Sequence, residues 1–291
     1  MVAEVKALAC ELPAKLGLPL SRFSRSELRR HVLSAGIVAA ISGVTIWRWL
    51  HEDALRPWSR RSWVFPRDPN FASKAGPVLD LYHRRWKGQA LAEDEFVISA
   101  DEKTQIPIRT PCHEILPPAP GRAMRIEHEY RRHGVCAYVA AWDVHRAQLF
   151  GRVVDKISIE VFDRLVAEVM ARQPYRSARH VFWIVDGGTI HRGERAARRL
   201  QGRFPNLVLV HLPTHASWLN QIEIYFSILQ RKALTPADFP DRDAVAARIL
   251  GFQDHYQAIA RPFEWKFTRR DLQRLLQRSA TPDEQPCRKA A

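Results

Sequence analysis

Three acidic residues stand where a folded chain can bring them together: Asp101, Asp186 and Glu223. Asp101 closes the β-rich run Phe96-Val97-Ile98-Ser99-Ala100, and Asp186 closes the strongly apolar run from His180 to Val185. Acidic residues at the C-terminal ends of neighbouring strands point into one crevice. Glu223 follows Ser217-Trp218-Leu219-Asn220, which reads as the Ser-capped start of a helix over 217–234. Thirty-six residues separate Asp186 from Glu223 (223 − 186 = 37), enough for one helix, one strand and a return helix. Three converging carboxylates suit divalent cations, and magnesium prefers oxygen ligands while keeping several waters. Two such ions roughly 3.5–4 Å apart activate a water or a 3′-hydroxyl and stabilise the leaving oxygen of an in-line displacement. Without cations, clustered carboxylates repel and one of them protonates. Any single Asp at a strand end is as readily a cap or a surface residue, so the chemistry rests on the three acids together with their flanks.

The elements that must position these acids follow from periodicity and punctuation. A strand is expected to end at Asp101, and a hairpin at Ala137–Trp142 and Ala147–Val154, turning at Asp143-Val144-His145-Arg146. Ile159, Phe162, Leu165, Val166 and Val169 fall on one face of a helix over 158–172. The apolar run before Asp186 reads as a buried central strand. A basic helix over 191–204, the strand Leu207–Val210 and helices over 241–256 and 268–278 complete the pattern, with a further helix over 71–87 upstream. Strands come first as a meander and then alternate with helices, which predicts an α/β fold: a mixed sheet with helices on its faces.

Upstream of the sheet, residues 22–51 carry three short helical signals. Ser24 caps the first, which runs through Glu27, Leu28, Val32 and Leu33; a short apolar piece spans Ile37 to Ile41; Thr45 to Leu50 forms the third. Short helix, glycine-containing turn and short helix is the helix-turn-helix pattern, and the last helix offers Thr45 and Arg48 to DNA while Ile46 and Leu50 face a core. The following Arg56-Pro57-Trp58-Ser59-Arg60-Arg61-Ser62-Trp63 interleaves cations and aromatics in the manner of a phosphate-backbone contact. The tryptophans equally suit core anchors.

The charge balance agrees with a polyanionic partner. Lys and Arg outnumber Asp and Glu by 45 to 31, a net +14, and such a surface gains affinity for nucleic acid by counterion release. Arg192, Arg195, Arg198 and Arg199, at helical spacing after Asp186, form either a solvated face or, as favoured with a DNA substrate, a grip on phosphates. His215 stands near the start of the Glu223 helix, as a DNA contact, a ligand-orienting group or a structural histidine. Glu102 alternates to the other strand face, and Asp143 reads as a turn residue. Cys10, Cys112, Cys136 and Cys287 form no CxxC pair, so no zinc or redox motif is indicated. No run approaches the ~20 apolar residues of a membrane span, and the scattered cysteines fit a cytoplasmic setting.

With these residues in view, the chain resembles the mariner-like bacterial insertion-sequence DDE transposases, the IS-six-thirty group. The likeness is carried by Val97-Ile98-Ser99-Ala100-Asp101-Glu102-Lys103-Thr104, by Glu127-His128-Glu129-Tyr130-Arg131-Arg132-His133-Gly134, by Ile184-Val185-Asp186, and above all by His215-Ala216-Ser217-Trp218-Leu219-Asn220-Gln221-Ile222-Glu223, which runs on to Phe226-Ser227-Ile228-Leu229-Gln230-Arg231-Lys232. It continues to Pro262–Thr268, and Ser42 to Leu50 with Arg56-Pro57-Trp58 resemble the group's second helix-turn-helix and linker. The resemblance implies an RNase H-like fold and two magnesium ions, with manganese as a substitute, held by Asp101, Asp186 and Glu223. It further implies cleavage and joining of double-stranded DNA at a TA target, a homodimer on DNA, and DNA contact reaching to Lys232. Two features depart from the group: Gly187-Gly188 stands where Asn usually follows the second Asp, and only 21 residues precede Arg22 where a further helix-turn-helix is common.

The expected organisation is a helix-turn-helix region over 1–64, a linker and helix over 65–94, an RNase H-like catalytic domain over 95–280 and a disordered tail over 281–291. Two other readings share these residues: a DNA-binding transposase remnant that does not cleave, and another RNase H-like nuclease acting on RNA–DNA hybrids or junctions.

Overall fold

The computed structural model describes residues 1–59, 68–187 and 193–279, without the side chains of 193–195 and 278–279. The chain divides into two compact units, Met1–Phe65 and Pro66–Ala291. The Phe65-Pro66-Arg67 part of the expected linker and the expected tail over 281–291 lie outside the described residues.

Among the described residues, the regular elements of the first unit are all helical: α1 (Val2–Cys10), a 3-10 turn (Pro13–Leu16), α2 (Arg25–Ser34) and α3 (Gly43–Glu52). Ser24 caps α2 in a reciprocal capping box with Glu27, as expected of Ser followed three residues later by Glu. Ser42 caps α3 through the Thr45 amide. Val5, Phe23, Leu28, Val32, Ile46 and Leu50 form the core of this unit. The stretch Ile37 to Ile41 is not the helix its apolar content suggested. It belongs to the connection over 35–42, its three aliphatic side chains pack onto the helical core, and Arg29 Nε donates to the Ile41 carbonyl at 2.6 Å. Burying a short loop this way needs apolar residues but no helical period.

The second unit is built on a five-stranded mixed sheet. Its strands are β3 (Glu95–Pro111), β4 (Tyr130–Asp143), β5 (Leu149–Val154), β6 (His180–Val185) and β7 (Leu207–His211), in the order β5-β4-β3-β6-β7. The meander β3-β4-β5 is antiparallel, while β3, β6 and β7 run parallel. Helices α5 (Ile159–Met170) and α6 (Gly193–Arg203) provide the crossovers into β6 and β7, as parallel pairing requires. Helices α4 (Phe71–Tyr82), α7 (Ile222–Lys232), α8 (Arg242–Ile259) and α9 (Arg269–Ser279) complete nine α-helices among the described residues.

Strand alternation sorts the side chains into two cores. Val97, Tyr138, Ala140, Trp142, Phe182 and Ile184 join α4, α7 and α8 on one face. Ile98, Ala100, Val139, Ala141, Val181, Trp183 and Val185 join α5 on the other. Period-two alternation thus assigns Asp101 and Asp186 to the α7 face, since they continue the odd series of β3 and the even series of β6.

Three expectations are corrected. The strand through Asp101 does not end there: β3 runs on to Pro111 because β4 supplies a partner along its whole length, with irregularities after Lys103 and Ile108. Gln105 takes up a φ of 55° within the first of these. The helix expected over 71–87 stops at Tyr82, where Arg84 enters the left-handed region (φ 54°) and leads into a small hairpin, β1 (Arg85–Trp86) with β2 (Gln89–Ala90). The helix expected from Ser217 begins at Ile222; Ser217–Leu219 is a 3-10 turn and Asn220 is extended.

One rung of the sheet contains only small neighbours beside Asp101: Asp101 pairs with Ala140, and Ala140 with Gly151. A Cβ at Gly151 would collide with the Tyr138 ring, its Cε2 and Cζ lying 2.6 Å away. That ring is fully buried and donates through its hydroxyl to Gln253 Oε1 at 2.7 Å. Gly151→Ala should therefore lower unfolding free energy by about 1–3 kcal/mol, the cost of overpacking a filled core, as read from urea denaturation midpoints. Unchanged stability would show that Tyr138 is free to move.

Candidate active site

Each acid reaches the α7 face by a different local route. Asp101 sits within β3, two residues beyond Ser99, which is the last residue of β3 paired with β6 and lies opposite Ile184. Asp186 is likewise two residues beyond Ile184 and the first residue after β6. Carrying the parallel register forward therefore sets Asp101 and Asp186 level on adjacent strands, which are spaced about 4.8 Å apart. Glu223 is the second residue of α7, a helix that packs on β3 and β4.

Asp101 is 7% exposed. Its Oδ1 accepts from the Glu102 amide at 2.8 Å and its Oδ2 from Asn220 Nδ2 at 3.1 Å. Burial is the main influence on its carboxyl, and the charges of Asp186, Glu102 and Glu223 act in the same direction. The bond from the Glu102 amide opposes them, and the carboxyl is pushed up to about 8. Glu223 is exposed on α7 between buried Ile222 and half-buried Ile224, its carboxyl partly shielded by surrounding protein. That shielding raises its pKa, Lys103 opposes the rise and Asp186 adds to it. Lys103, two residues past Asp101 on the same strand face, is held below the usual lysine range by burial, against the pull of Glu223.

The three carboxylates therefore share one patch of field, and burial together with neighbouring acidic charge raises the pKa of Asp101 and of Glu223. Their donor set is hard oxygen throughout, which fits magnesium or manganese. Among the described residues no three His, Cys, Asp or Glu side chains close around a single point as an ion cage. A two-ion centre needs no such cage, because each ion takes one or two carboxylates and fills its shell with water and phosphate oxygens.

The other sequence-derived residues distribute widely. Arg48 and Arg56 are exposed in the first unit, Arg48 on α3. Thr45 is half-buried, its hydroxyl 2.9 Å from the Ser42 hydroxyl at the α3 cap. Exposed His215 stands in the loop between β7 and α7 with a left-handed φ of 60°. Lys232 ends α7, nine residues from Glu223 and so about 13 Å along the axis. Arg60, Arg61 and Arg192 lie outside the described residues, as does the side chain of Arg195 on α6. Arg199, expected among the phosphate contacts, makes a two-pronged ion pair with Asp163 of α5, at 2.8 and 2.9 Å. Asp143, expected in the turn, is the last residue of β4, opposite Ile98 on β3, and its side chain anchors the turn that follows: it accepts the His145 and Arg146 amides at 3.1 and 3.0 Å and the Tyr175 hydroxyl at 2.8 Å.

Two polar residues and a lysine were missed by sequence reasoning. Ser99 and Asn220 are buried and bonded to one another and to Asp101's surroundings. The available signal was a serine amid an otherwise apolar strand, since a buried hydroxyl demands a partner. Lys103 could have been found by its two-residue offset from Asp101.

The sheet order and the helices on both faces define an RNase H-like α/β domain. A family model described as DDE superfamily endonuclease matches residues 97–246, and the chain belongs to that family. No curated protein matches it. Among solved structures, the Mos1 strand transfer complex is 15% identical over 96% of this chain and 76% of that chain, with a TM-score of 0.55. The Mos1 mariner paired end complex with Mn is 14% identical over 90% of this chain and 78% of that chain, with a TM-score of 0.51. At such identities the likeness is one of fold. No helix among the described residues is long and apolar enough to cross a membrane.

The Asp101 shift has a sign that can be measured. The folded state retains a proton up to about pH 8 that the unfolded chain, with an ordinary value of 3.8, releases earlier. The folded state thus binds more protons between these limits. This group's stabilising contribution is complete below the unfolded value and is lost as pH rises towards 8. In EDTA, wild type should lose stability between pH 5 and pH 8 by on the order of a few kcal/mol more than Asp101→Asn, whose amide does not ionise. Equal pH slopes for the two proteins in urea denaturation would contradict the assignment.

Proposed function

We propose that the protein is a transposase of the mariner-like insertion-sequence type, of the bacterial IS-six-thirty group. In this reading it cuts double-stranded DNA at transposon ends and joins them to a TA target, as a homodimer on DNA and associated with the nucleoid. The single observation that carries the reading is that the three acids act electrostatically on one another, Asp186 and Glu223 on Asp101 and Asp186 on Glu223; the β3–β6 register, which pairs Ser99 with Ile184 two residues before each aspartate, supports it. Membership of the DDE superfamily endonucleases supports it. So does the fold likeness to Mos1, whose structures include a paired end complex with Mn and a strand transfer complex.

Asp101, Asp186 and Glu223 would hold two Mg2+ ions, for which Mn2+ can substitute. When bound, such a pair activates the attacking oxygen and stabilises the leaving one. The first reaction breaks a P–O3′ bond with water, leaving a 3′-hydroxyl and a 5′-phosphate. In the second, that 3′-oxygen attacks a target phosphodiester and displaces its 3′-oxygen. Lys103, beside Glu223, supplies a positive charge towards the reacting phosphate. His215, in the loop between β7 and α7, contacts the DNA strand. Thr45 and Arg48 read or grip DNA from α3, and Arg56, Arg60 and Arg61 follow the backbone. Arg192, Arg195 and Lys232 add phosphate contacts. Charge agrees with this partner: the chain carries +14, which favours DNA through counterion release.

Asp101→Asn, Asp186→Asn and Glu223→Gln should each reduce Mg2+- or Mn2+-dependent cleavage of the element's ends by at least about a hundredfold, since metal stabilisation of the transition state amounts to several kcal/mol. Binding of the same DNA in a gel shift should stay within a few-fold. Full cleavage by any one variant refutes the assignment. Wild-type protein that shifts DNA but never nicks it is instead a DNA-binding remnant, and preference for an RNA–DNA hybrid over the ends marks a different nuclease. Separately, Arg48→Ala should weaken DNA binding and reduce the slope of log K against log salt by about 1, the signature of one lost phosphate contact. An unaltered slope and affinity would remove Arg48 from the interface.

A further inference from the structure

Between β3 and α7 runs a closed chain of buried hydrogen bonds. The Ile222 amide donates to Ser99 Oγ at 2.9 Å. The Ser99 hydroxyl donates in turn to Asn220 Oδ1 in a short bond. Asn220 Nδ2 then donates twice, to the Ala100 carbonyl at 3.0 Å and to Asp101 Oδ2 at 3.1 Å. Ser99 and Asn220 are essentially inaccessible to solvent. The amide can face only one way, because the Ala100 carbonyl and the Asp101 carboxylate both accept and need the NH2 group. Asn220 also lies outside helical geometry, at φ −83° and ψ 113°. Its extended backbone breaks what would otherwise be a continuous helix from Ser217. The adjoining turn is anchored as well, since Tyr82 Oη donates to the Leu219 carbonyl at 2.6 Å.

This geometry points to Asn220, supported by Ser99, as the positioning residue that fixes Asp101 and the Glu223-bearing end of α7 relative to each other for divalent metal binding. The inference rests on the metal-dependent reading above. One Nδ2 hydrogen takes a lone pair of Asp101 Oδ2 and sets the plane of the carboxylate, while the Glu102 amide holds Oδ1. Each oxygen keeps a further lone pair for an ion. Through Ser99, the same amide holds the Ile222 amide, one residue before Glu223. A single side chain thus ties the carboxylate on the strand to the first turn that carries the carboxylate on the helix. Groups that orient metal ligands in this way typically set affinity by about 10–100-fold.

The test is Mn2+ binding to the full-length protein, followed by electron paramagnetic resonance of the free ion, beside cleavage of DNA across a Mn2+ series. Asn220→Ala should raise the Mn2+ Kd by about 10- to 100-fold and shift the half-maximal Mn2+ for cleavage in parallel. Saturating Mn2+ should restore the maximal rate to within a few-fold, with DNA affinity unchanged. A purely structural asparagine would not give a defect that metal rescues. Ser99→Ala leaves the Asn220–Asp101 bond in place and should shift Mn2+ affinity in the same direction by less. A folded Asn220→Ala protein with wild-type Mn2+ affinity overturns the proposal, as does a rate defect that saturating Mn2+ does not lift. If both variants fail to fold, Asn220 serves the fold and the proposal falls. Wild type that binds Mn2+ without cutting DNA defeats the transposase reading alone, and the variants' Mn2+ affinities still decide the role of Asn220. Wild type that binds no Mn2+ defeats both.

Discussion

A carboxylate buried beside other carboxylates is expensive, and much of the second unit is organised around that cost. Asp101 is surrounded by the apolar interior of a central strand, with Ala140 beside it on β4, and the charges that act most on it are acidic. Desolvation and like charge both favour a proton there. Two N–H groups, from Glu102 and Asn220, oppose this by stabilising the ionised form. They do not overcome it, so the fold keeps a group that a divalent cation would relieve. Perturbed groups of this kind cluster at functional sites, and this one is where the proposed metal reading puts its ligand.

The sheet topology turns this local tension into a site. Parallel pairing of β3 with β6 makes their registers run together, so two aspartates two residues past a paired position become neighbours without any special loop. Antiparallel pairing with β4 continues β3 beyond the point where β6 stops. Asp101 is therefore braced on one side by a rigid partner, while on the other the stretch of β6 paired with β3 ends at Ile184. The helix α7 covers the same face, burying Ile222, Tyr225, Phe226 and Leu229 while leaving Glu223 at its open end. Apolar packing of α7 and the placement of its acid are thus one event.

Much of this was legible from sequence because it depends on short-range pattern. The apolar run before Asp186, the amphipathic spacing of α5, the capping box at Ser24 and the turn at Asp143 each announce themselves within a few residues. What was hidden depends on partners distant in the chain. The continuation of β3 past Asp101 runs through Gln105, Pro107 and Pro111, which look like strand terminators until β4 is present to pair with them. Arg199 looked like one more basic residue on a helix until α5 brought Asp163 to it. The start of α7 was misplaced because Ser217 is a good cap by type, whereas Asn220 is drawn out of the helix by bonds to residues about 120 positions earlier. The three acids themselves could be named from sequence, but their common face could not be derived until strand register was known.

Asp143 and Asp101 are two buried acids of one sheet whose surroundings act on them in opposite ways. Both lie on β4 or β3 with almost no solvent exposure, and burial raises the pKa of both. Around Asp143 every influence besides burial pulls the other way: the Tyr175 hydroxyl, two turn amides and the Arg146 charge. Its bonds are made by its own turn and the adjoining core, and its role is complete once the chain has turned. Around Asp101 the neighbouring charges add to the burial, and they come from β6, from α7 and from the next residue in β3. Burial alone therefore does not mark a functional acid. The sign of the surrounding charge separates the two: Asp143 sits among donors and a cation that satisfy it, while Asp101 sits among acids whose repulsion a divalent cation would relieve.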